Sequence, residues 1–344
     1  MKIPVPAPIS VGLLLSYKCN ACCRHCMYAC SPGWPGDWIS EPDLEKTLKE
    51  LAPYLQPAPF GQDTVSLSYG LHFTGGEPFL NFPLLLKAVE TAARFNIPST
   101  FVETNGIWAV NDKVVREKLQ QLKRSGLSGI MISVNPFYLE YVPFERTRCC
   151  VSISRDIFGR NTMVYQQEFY NQFLQLGITD RLALRDYLAL PGSRQAMLYT
   201  EFFMMGRAPY QAHLLPEGII STFPASYFFY QPCDPPFLRE WHNHVDNYGH
   251  YIPGFCGGLS LGNIRDLKEL LEEGIDLNEY PIFKFILQND FKSFYEFSCQ
   301  KGYSEKNMNY YSKCHLCVDM RKFLVAQEDF RELQPRQFYN HLDE

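Results

Sequence analysis

Long hydrophobic runs are missing from this 344-residue sequence, whose apolar stretches fall well short of the roughly 20 residues that span a bilayer. The N-terminus has neither a sustained apolar segment nor a small-residue cleavage site, so no secretory signal is indicated. An excess of positive charge is also missing: a net charge of −5 and a pI near 5.9 argue against broad binding to polyanions. We therefore predict a cytoplasmic protein with no membrane and no nucleic-acid partner.

Cysteine, by contrast, is plentiful, with twelve residues in the chain. Without a secretion signal, this number points to a reducing compartment, where cysteines bind metals more often than they form disulfides. The composition is otherwise that of an ordinary folded protein, with many Phe and Tyr residues and no low-complexity tract. The length allows one large domain and a smaller one. We expect a metal-binding protein.

A cysteine cluster follows the first predicted strand, which covers residues 10–17. Cys19, Cys23 and Cys26 stand at the spacing Cys-x3-Cys-x2-Cys. Three thiolates suit an iron–sulfur cluster, and in a four-iron cluster they leave one iron open to another ligand. Cys22 and Cys30 leave a second register open, Cys22-x3-Cys26-x3-Cys30. Zinc is a further alternative, although structural zinc requires four ligands, and a disulfide cluster would need an oxidising compartment.

Strand, loop and helix then repeat along the chain, a pattern typical of a parallel sheet with crossover helices. Polar or glycine residues stand at the end of each predicted strand, namely Gly75, Gly76 and Glu77, then Thr104 and Asn105, then Ser133 and Asn135. In α/β barrels, functional residues gather at this edge of the sheet. A simple Asn-Gly turn remains an alternative for residues 105–106. Later elements are less distinct, and we read 182–188 as a strand.

The cysteine loop and the Gly-Gly-Glu-Pro turn at 75–78, in this order and at strand ends, resemble the two signature motifs of the radical S-adenosylmethionine (radical SAM) superfamily. The resemblance implies that Cys19, Cys23 and Cys26 hold a [4Fe–4S] cluster whose open iron binds S-adenosylmethionine. It further implies cofactor contacts along the strand ends, from Gly75, Gly76, Glu77, Thr104, Asn105, Ser133 and Asn135. The implied fold is α/β, a partial (β/α)6 TIM-like barrel over residues 1–208.

A second domain is predicted over residues 209–344. It contains a β-hairpin near 245–252 and four cysteines, Cys233, Cys256, Cys314 and Cys317, with Cys299 left over. The order of hairpin, cysteine and helix resembles the auxiliary-cluster domains called SPASM and twitch. The resemblance implies a small C-terminal α+β domain with a second [4Fe–4S] cluster. A zinc ribbon is the alternative, because one Cys-x2-Cys pair and two further cysteines also suit zinc.

The resemblance implies an enzyme that reductively cleaves S-adenosylmethionine to a 5′-deoxyadenosyl radical, with flavodoxin or ferredoxin as reductant. Enzymes with such extensions commonly modify peptides or proteins, so we predict a peptide or protein substrate. A small-metabolite dehydrogenase or mutase is the alternative, and a metal-binding scaffold is the non-enzyme alternative. Because about nine residues precede the first strand, we expect neither a cobalamin-binding module nor a leader-peptide recognition domain there. The catalytic residue is not identified; Cys299, Asp246, Tyr251 and Arg207 are candidates.

Overall fold

The chain has a mixed α/β fold around one seven-stranded sheet. A computed structural model describes residues 1–199, 202–215, 220–233, 237–305 and 309–344. The strands in chain order are β1 (Lys2–Ile3), β2 (Ser10–Leu14), β3 (Gly70–Thr74), β4 (Phe101–Thr104), β5 (Gly129–Ser133), β6 (Thr162–Tyr165), β7 (Asn243–Val245), β8 (Tyr251–Ile252) and β9 (Ile275–Asp276). The sheet order is β6-β5-β4-β3-β2-β7-β8, and β1 pairs separately with β9.

Helices connect most of the strands. They are α1 (Glu41–Leu51), α2 (Phe82–Arg94), α3 (Asp112–Arg124), α4 (Pro136–Leu139), α5 (Phe144–Phe158), α6 (Gln167–Gln175), α7 (Leu184–Leu188), α8 (Ser193–Tyr199), α9 (Ala208–Gln211), α10 (Leu267–Glu273), α11 (Pro281–Leu287), α12 (Phe291–Gln300) and α13 (Lys313–Gln327). Within the described ranges, none of them combines the length and the apolar character that a membrane span needs.

Strands β2 to β6 run parallel to one another, and β7 is parallel to β2 on its other side. Only β8 is antiparallel in this sheet, where it forms the predicted hairpin with β7. All residues of β2, β3 and β5 are buried, as expected for parallel strands covered on both faces. The predicted α/β fold with a parallel sheet is therefore confirmed.

Helix starts follow capping residues that can be recognised in the sequence. The Ser40 side chain accepts a hydrogen bond from the Asp43 backbone N–H, which fixes the start of α1. Asn111 caps α3 in the same way, through the Val114 N–H. Side-chain acceptors at these positions satisfy backbone donors that have no partner inside the helix, so the local sequence determines the boundary.

One predicted element differs from the structure. Residues 182–188 were predicted as a strand, but Leu184–Leu188 is helix α7. Its buried residues, Leu184 and Tyr187, are three positions apart, which is the spacing of one helix face rather than of a strand. Helix α13 begins at Lys313, because Ser312 accepts a hydrogen bond from the His315 N–H. The predicted Cys-x2-Cys pair therefore lies on the first turns of a helix.

The sheet also extends across the predicted division of the chain. Five parallel strands come from residues 1–208, and the described residues there provide no sixth. The sixth parallel strand is β7, which lies directly beside β2 with Gly12 opposite His244. Strand β2 is consequently flanked by β3 on one side and by β7 on the other. The loop that follows β2 lies where the two parts of the chain meet.

Candidate functional site

Three predicted cluster ligands face one open cavity at the carboxyl edge of the sheet. Cys19, Cys23 and Cys26 line it, and so does Cys30. Cys22 does not; its backbone carbonyl instead accepts a hydrogen bond from the Tyr141 hydroxyl at 2.9 Å. The loop thus turns Cys19, Cys23 and Cys26 inward together. This arrangement fits the register Cys-x3-Cys-x2-Cys, because the alternative register would require Cys22 in the cavity.

The Gly75-Gly76 turn packs directly on the backbone that carries the cysteines. The Gly76 N–H donates to the Ser16 carbonyl at 2.9 Å, and the Glu77 N–H donates to the Lys18 carbonyl at 3.1 Å. A Cβ atom on Gly76 would lie 1.9 Å from the Lys18 carbonyl oxygen. Gly75 has a φ of 116°, and a Cβ there would lie 2.4 Å from the Ser16 carbonyl oxygen. Both positions therefore require glycine, because only glycine permits this close approach.

Glu77 connects this turn to the end of β4 rather than lining the cavity. Its buried carboxylate accepts hydrogen bonds from the Phe79 N–H at 3.1 Å and from the Asn105 N–H at 2.8 Å. The Thr104 hydroxyl donates to it at 2.9 Å. Burial raises the pKa of Glu77 to about 7, while these donors act in the opposite direction. Glu77 therefore holds two strand ends in register.

The predicted cofactor-binding residues divide into two groups. Those that line the cavity are Gly75, Gly76, Thr104, Asn105 and Ser133. Glu77 and Asn135 do not line it. Asn135 caps α4 by accepting from the backbone N–H groups of Phe137 and Tyr138, and its amide lies 3.0 Å from His25 Nε2. The side chain of Asn135 is thus occupied by helix capping.

Three further cavity residues were missed at the sequence level, namely Thr74, Glu103 and Tyr138. The Thr74 hydroxyl donates to Glu103 Oε2 at 2.7 Å. Burial raises the pKa of Glu103 to about 7, although this hydrogen bond acts against the shift. The available signal was an acidic residue inside the apolar strand Phe101–Thr104, since a charge in a buried strand calls for a specific partner.

The loop thiols differ in their electrostatic surroundings. Burial raises the pKa values of the Cys19 and Cys23 thiols above their usual range. A hydrogen bond with the Cys30 side chain lowers the pKa of Cys26 to about 6 despite burial, and the charge of Arg207 acts in the same direction. The thiolate is the form that binds metals. Cys26 is therefore the thiol best prepared to ligate, and a metal would have to drive deprotonation of the other two.

Arg207 fixes the shape of the cysteine loop from the opposite side. Its guanidinium is fully buried and donates to the backbone carbonyls of Cys23 at 3.0 Å, Ala29 at 2.8 Å and Cys30 at 3.1 Å. It also donates to the His341 carbonyl near the C-terminal end of the sequence. Arg207 was a candidate catalytic residue, but these bonds use its donors to hold backbone.

The other three candidate catalytic residues also lie away from the cavities. Asp246 is buried and accepts hydrogen bonds from the Tyr17 hydroxyl and the Tyr248 N–H. Tyr251 is buried within β8, and Cys299 lies on α12. None of the three lines the cavity at the cysteine loop or the second cavity described next.

A second cavity of about 270 Å³ contains the other predicted ligands. Cys233, Cys256, Cys314 and Cys317 all line it, although 58 residues separate Cys256 from Cys314 in the sequence. Burial raises the pKa values of the Cys233 and Cys256 thiols and raises that of Cys314 to about 12. The fold thus gathers the four predicted cysteines around one space. Cys299 is not among its lining residues.

Three buried cationic side chains surround these four thiols. Lys313 Nζ lies 3.2 Å from Cys233 Sγ, and Arg321 and Arg239 also line the cavity. In the described part of the chain, Arg321 Nε and Arg239 Nε and Nη1 have no hydrogen-bond partner. Buried cations with free donors are costly unless an anionic group compensates them. The cavity therefore suits an occupant that carries negative charge once the thiols are deprotonated.

The spread of the thiols discriminates between metal types. Four sulfurs around one zinc ion at 2.3 Å would lie about 3.8 Å apart. Among the described residues, the one group that brings three potential ligand atoms within 4.8 Å of one another consists of His72, His242 and His244. Neither cysteine set meets this limit among the described residues, although the ligands of a single tetrahedral zinc ion would.

Replacing Glu77 by glutamine tests its role between the strand ends. In Glu77→Gln, an amide NH2 group would face N–H and O–H groups that now donate hydrogen bonds to the carboxylate. A buried donor left without an acceptor costs about 1–3 kcal/mol. We expect the free energy of unfolding, measured anaerobically in urea, to fall by about 2 kcal/mol. The exposed Glu90→Gln is the matched control and should change it by less than about 0.5 kcal/mol. Equal effects of both substitutions would contradict the role of Glu77.

Comparison with known proteins gives a partial sequence relative and solved structures that align at low identity. No protein-family model matches the chain. The putative peptide biosynthesis protein YydG of Bacillus subtilis (strain 168) is 27% identical over 172 residues, which are 48% of this chain and 49% of YydG. The chain thus spans about half the length of the curated relative it matches.

Two solved structures align over most of the chain. BtrN in complex with AdoMet and 2-DOIA shares 15% identity at a TM-score of 0.44, covering 85% of this chain and 91% of BtrN. Native anSMEcpe with bound AdoMet and Kp18Cys peptide shares 16% identity at a TM-score of 0.44, covering 77% of this chain and 81% of anSMEcpe. The cysteine loop, the glycine turn and the parallel sheet are the features of this chain on which its predicted resemblance to the radical SAM superfamily rests.

Proposed function

We propose that the chain is a radical SAM enzyme that reductively cleaves S-adenosylmethionine and abstracts a hydrogen atom from a substrate. One observation carries the proposal: the three-cysteine loop and the Gly75-Gly76 turn line the same cavity at the carboxyl edge of the sheet. Functional sites of parallel α/β folds lie at this edge. With Cys30 hydrogen-bonded to Cys26 and not ligating, the other three thiols leave a metal position open for a substrate or cofactor, which a purely structural site does not need.

In this proposal Cys19, Cys23 and Cys26 hold a [4Fe–4S] cluster. Cavity residues beside them would bind S-adenosylmethionine: the backbone of Gly75 and Gly76, then Thr104, Asn105 and Ser133, with Glu103 as a further acceptor. When bound, the cluster and cofactor supply a 5′-deoxyadenosyl radical. The chain's own contribution is position, because Arg207 and the glycine turn hold the loop from both sides.

Cleavage of S-adenosylmethionine is the direct test. With dithionite, the iron-loaded protein should release 5′-deoxyadenosine, and Cys23→Ala should reduce release to background because one cluster ligand is lost. Cys22→Ala is the matched control: it removes a thiol from the same loop but outside the cavity, so release should persist. The measurement is chromatographic quantification of the 5′-deoxyadenosine that the wild-type protein and the two variants release. No release from fully loaded wild-type protein with any substrate would favour a metal-binding scaffold.

We further propose that Cys233, Cys256, Cys314 and Cys317 ligate a second [4Fe–4S] cluster. The size of their cavity, the wide separation of their thiols and the buried cations around them support this over zinc. An auxiliary cluster of the SPASM/twitch kind would then occupy the predicted domain 209–344. The strands of residues 1–208 would belong to a partial (β/α)6 barrel. The enzyme would act in the cytoplasm, with flavodoxin or ferredoxin as reductant.

Iron content tests the second cluster. Anaerobic reconstitution should give about eight irons per chain, and Cys314→Ser should lower this to about four because one of two clusters is lost. Cys299→Ser, on α12 outside both cavities, is the matched control and should keep about eight. A wild-type preparation that saturates near four irons and carries zinc would contradict the proposal.

For the substrate, we propose a peptide or protein. The relative named as a peptide biosynthesis protein supports this over a small metabolite, through 27% identity over half of each chain. Residues 209–251, an aromatic junction rich in Tyr and Phe, also support it, since exposed aromatic side chains offer surface to an extended chain: Tyr227, Tyr230 and Trp241 are 54%, 83% and 38% exposed. Parts of that junction, 216–219 and 234–236, lie outside the described residues.

The class of substrate can be identified by which compounds stimulate the release of 5′-deoxyadenosine. We expect peptides, and not pools of small metabolites, to raise 5′-deoxyadenosine release above the uncoupled background, with a mass change in the peptide. Tyr230→Ala should raise the KM for the peptide while leaving uncoupled cleavage unchanged, because it removes exposed contact area only. Phe60→Ala, equally exposed but outside the junction, should leave the KM unchanged. Stimulation by metabolites alone would contradict a peptide substrate.

A further inference from the structure

Three histidines that the cysteine chemistry does not use lie together inside the sheet. His72, His242 and His244 are all buried, and their potential ligand atoms lie within 4.8 Å of one another. Their ring centroids are 5.0 to 5.4 Å apart. We propose that this histidine trio is a binding site for one divalent transition-metal ion, separate from both cysteine sites. Zinc is the ion that best suits three imidazoles with one open position.

The sheet register brings two of the rings together. His72 on β3 and His244 on β7 both lie opposite Gly12 of β2, which runs between them. Lateral neighbours in a parallel sheet point to the same face, so the two imidazoles approach each other across β2. A Cβ on Gly12 would lie 2.3 Å from His72 Nε2 and 2.8 Å from His244 Nε2. The absence of a side chain at Gly12 therefore keeps the space between these nitrogens open.

His242 completes the trio from an unusual backbone conformation. It precedes β7 with a φ of 54°, in the left-handed region that few residues other than glycine adopt and in which Asn, Asp and His are the most frequent of those few. Its N–H donates to the Ser10 hydroxyl, which holds the residue in place. Residues in such conformations cluster at functional sites, where the surrounding structure compensates their cost. Here the conformation turns a third imidazole toward the other two.

Hydrogen bonds at the Nδ1 atoms set the tautomers that ligation needs. His242 Nδ1 lies 3.1 Å from the Leu67 carbonyl, and His244 Nδ1 lies 3.0 Å from the Gly254 carbonyl. A carbonyl can only accept, so both Nδ1 atoms carry the proton, and the Tyr28 hydroxyl at 2.8 Å from His244 Nδ1 adds a second acceptor. Both Nε2 atoms then keep a free lone pair. Metal-binding histidines are typically oriented by this kind of hydrogen bond.

The third nitrogen has no partner. His72 Nε2 is buried and makes no hydrogen bond to any described residue. Its nearest acidic group is Glu103, whose Oε1 lies 3.5 Å away. A buried polar atom without a partner is costly, and a metal ion would satisfy it.

The trio lies between the two cysteine cavities. On one side, Glu103 near His72 lines the cavity of the cysteine loop. On the other, Gly254 and Phe255, which contact His244 and His242, line the second cavity. Glu103 or a water molecule could fill the fourth coordination position. The charge of Arg239 opposes a cation here, so affinity must come from the imidazoles. A bound ion would cross-link β3 to β7 and thereby fix one cavity relative to the other.

Metal analysis of the full chain tests the site. After iron–sulfur reconstitution and removal of loosely bound metal, we expect one equivalent of zinc to bind, with only nitrogen and oxygen neighbours in its X-ray absorption spectrum. Cobalt(II) should bind in its place without thiolate charge-transfer bands. His72→Ala should weaken zinc binding by at least about tenfold, since a ligand is lost. The exposed His213→Ala is the matched control and should bind zinc as wild type does.

A second variant separates loss of the site from misfolding. His242→Asn removes an imidazole but tolerates the left-handed backbone, so it should keep its iron content and its circular dichroism while losing the zinc. Cys314→Ser should keep the zinc, because the cysteines are not its ligands. Sulfur neighbours around the zinc, or full zinc binding by His242→Asn, would overturn the proposal. Neither result depends on cleavage of S-adenosylmethionine, so this site and the proposed activity fail independently.

Discussion

The close backbone contact between the Gly75-Gly76 turn and the stretch Ser16–Lys18 is the constraint on which the site depends. Two hydrogen bonds join the segments, and a methyl group at Gly76 would lie 1.9 Å from a carbonyl oxygen. The contact places two sequence motifs, fifty residues apart, on the wall of one cavity. Glu77 continues it to the end of β4, where the Thr104 hydroxyl and the Asn105 N–H both donate to its carboxylate, so the third strand end follows the first two.

Buried charge arranges the surroundings of the thiols. Arg207 donates hydrogen bonds to backbone carbonyls on the outside of the cysteine loop, whereas Lys313, Arg239 and Arg321 lie around the second cysteine set. Buried cations are stable only when paired, and the two environments pair them differently. Around the cysteine loop, the partners of the Arg207 guanidinium are backbone carbonyls, so this cation does not occupy the cavity. In the second cavity several donors remain free in the described residues, which favours an anionic cluster.

The two cavities are connected through β2. Its neighbours are β3, which leads to the glycine turn, and β7, which leads through β8 to Cys256. The histidine trio lies across the same three strands, where Gly12 leaves room for the rings. A substitution in β2 would therefore affect both cavities, because its side chains pack between elements that come from distant parts of the sequence.

The sequence by itself determined the local features: the cysteine spacing, the two glycines, the capped helix starts and the alternation of strands and helices. These depend on neighbouring residues, so they could be predicted from the chain. Only the tertiary structure decided that Cys22 faces away, that Asn135 caps a helix, and that Glu103 lines the cavity. It also decided that β7 lies beside β2 and brings three histidines together. Strand pairing joins residues 232 positions apart, and no local sequence pattern indicates that contact.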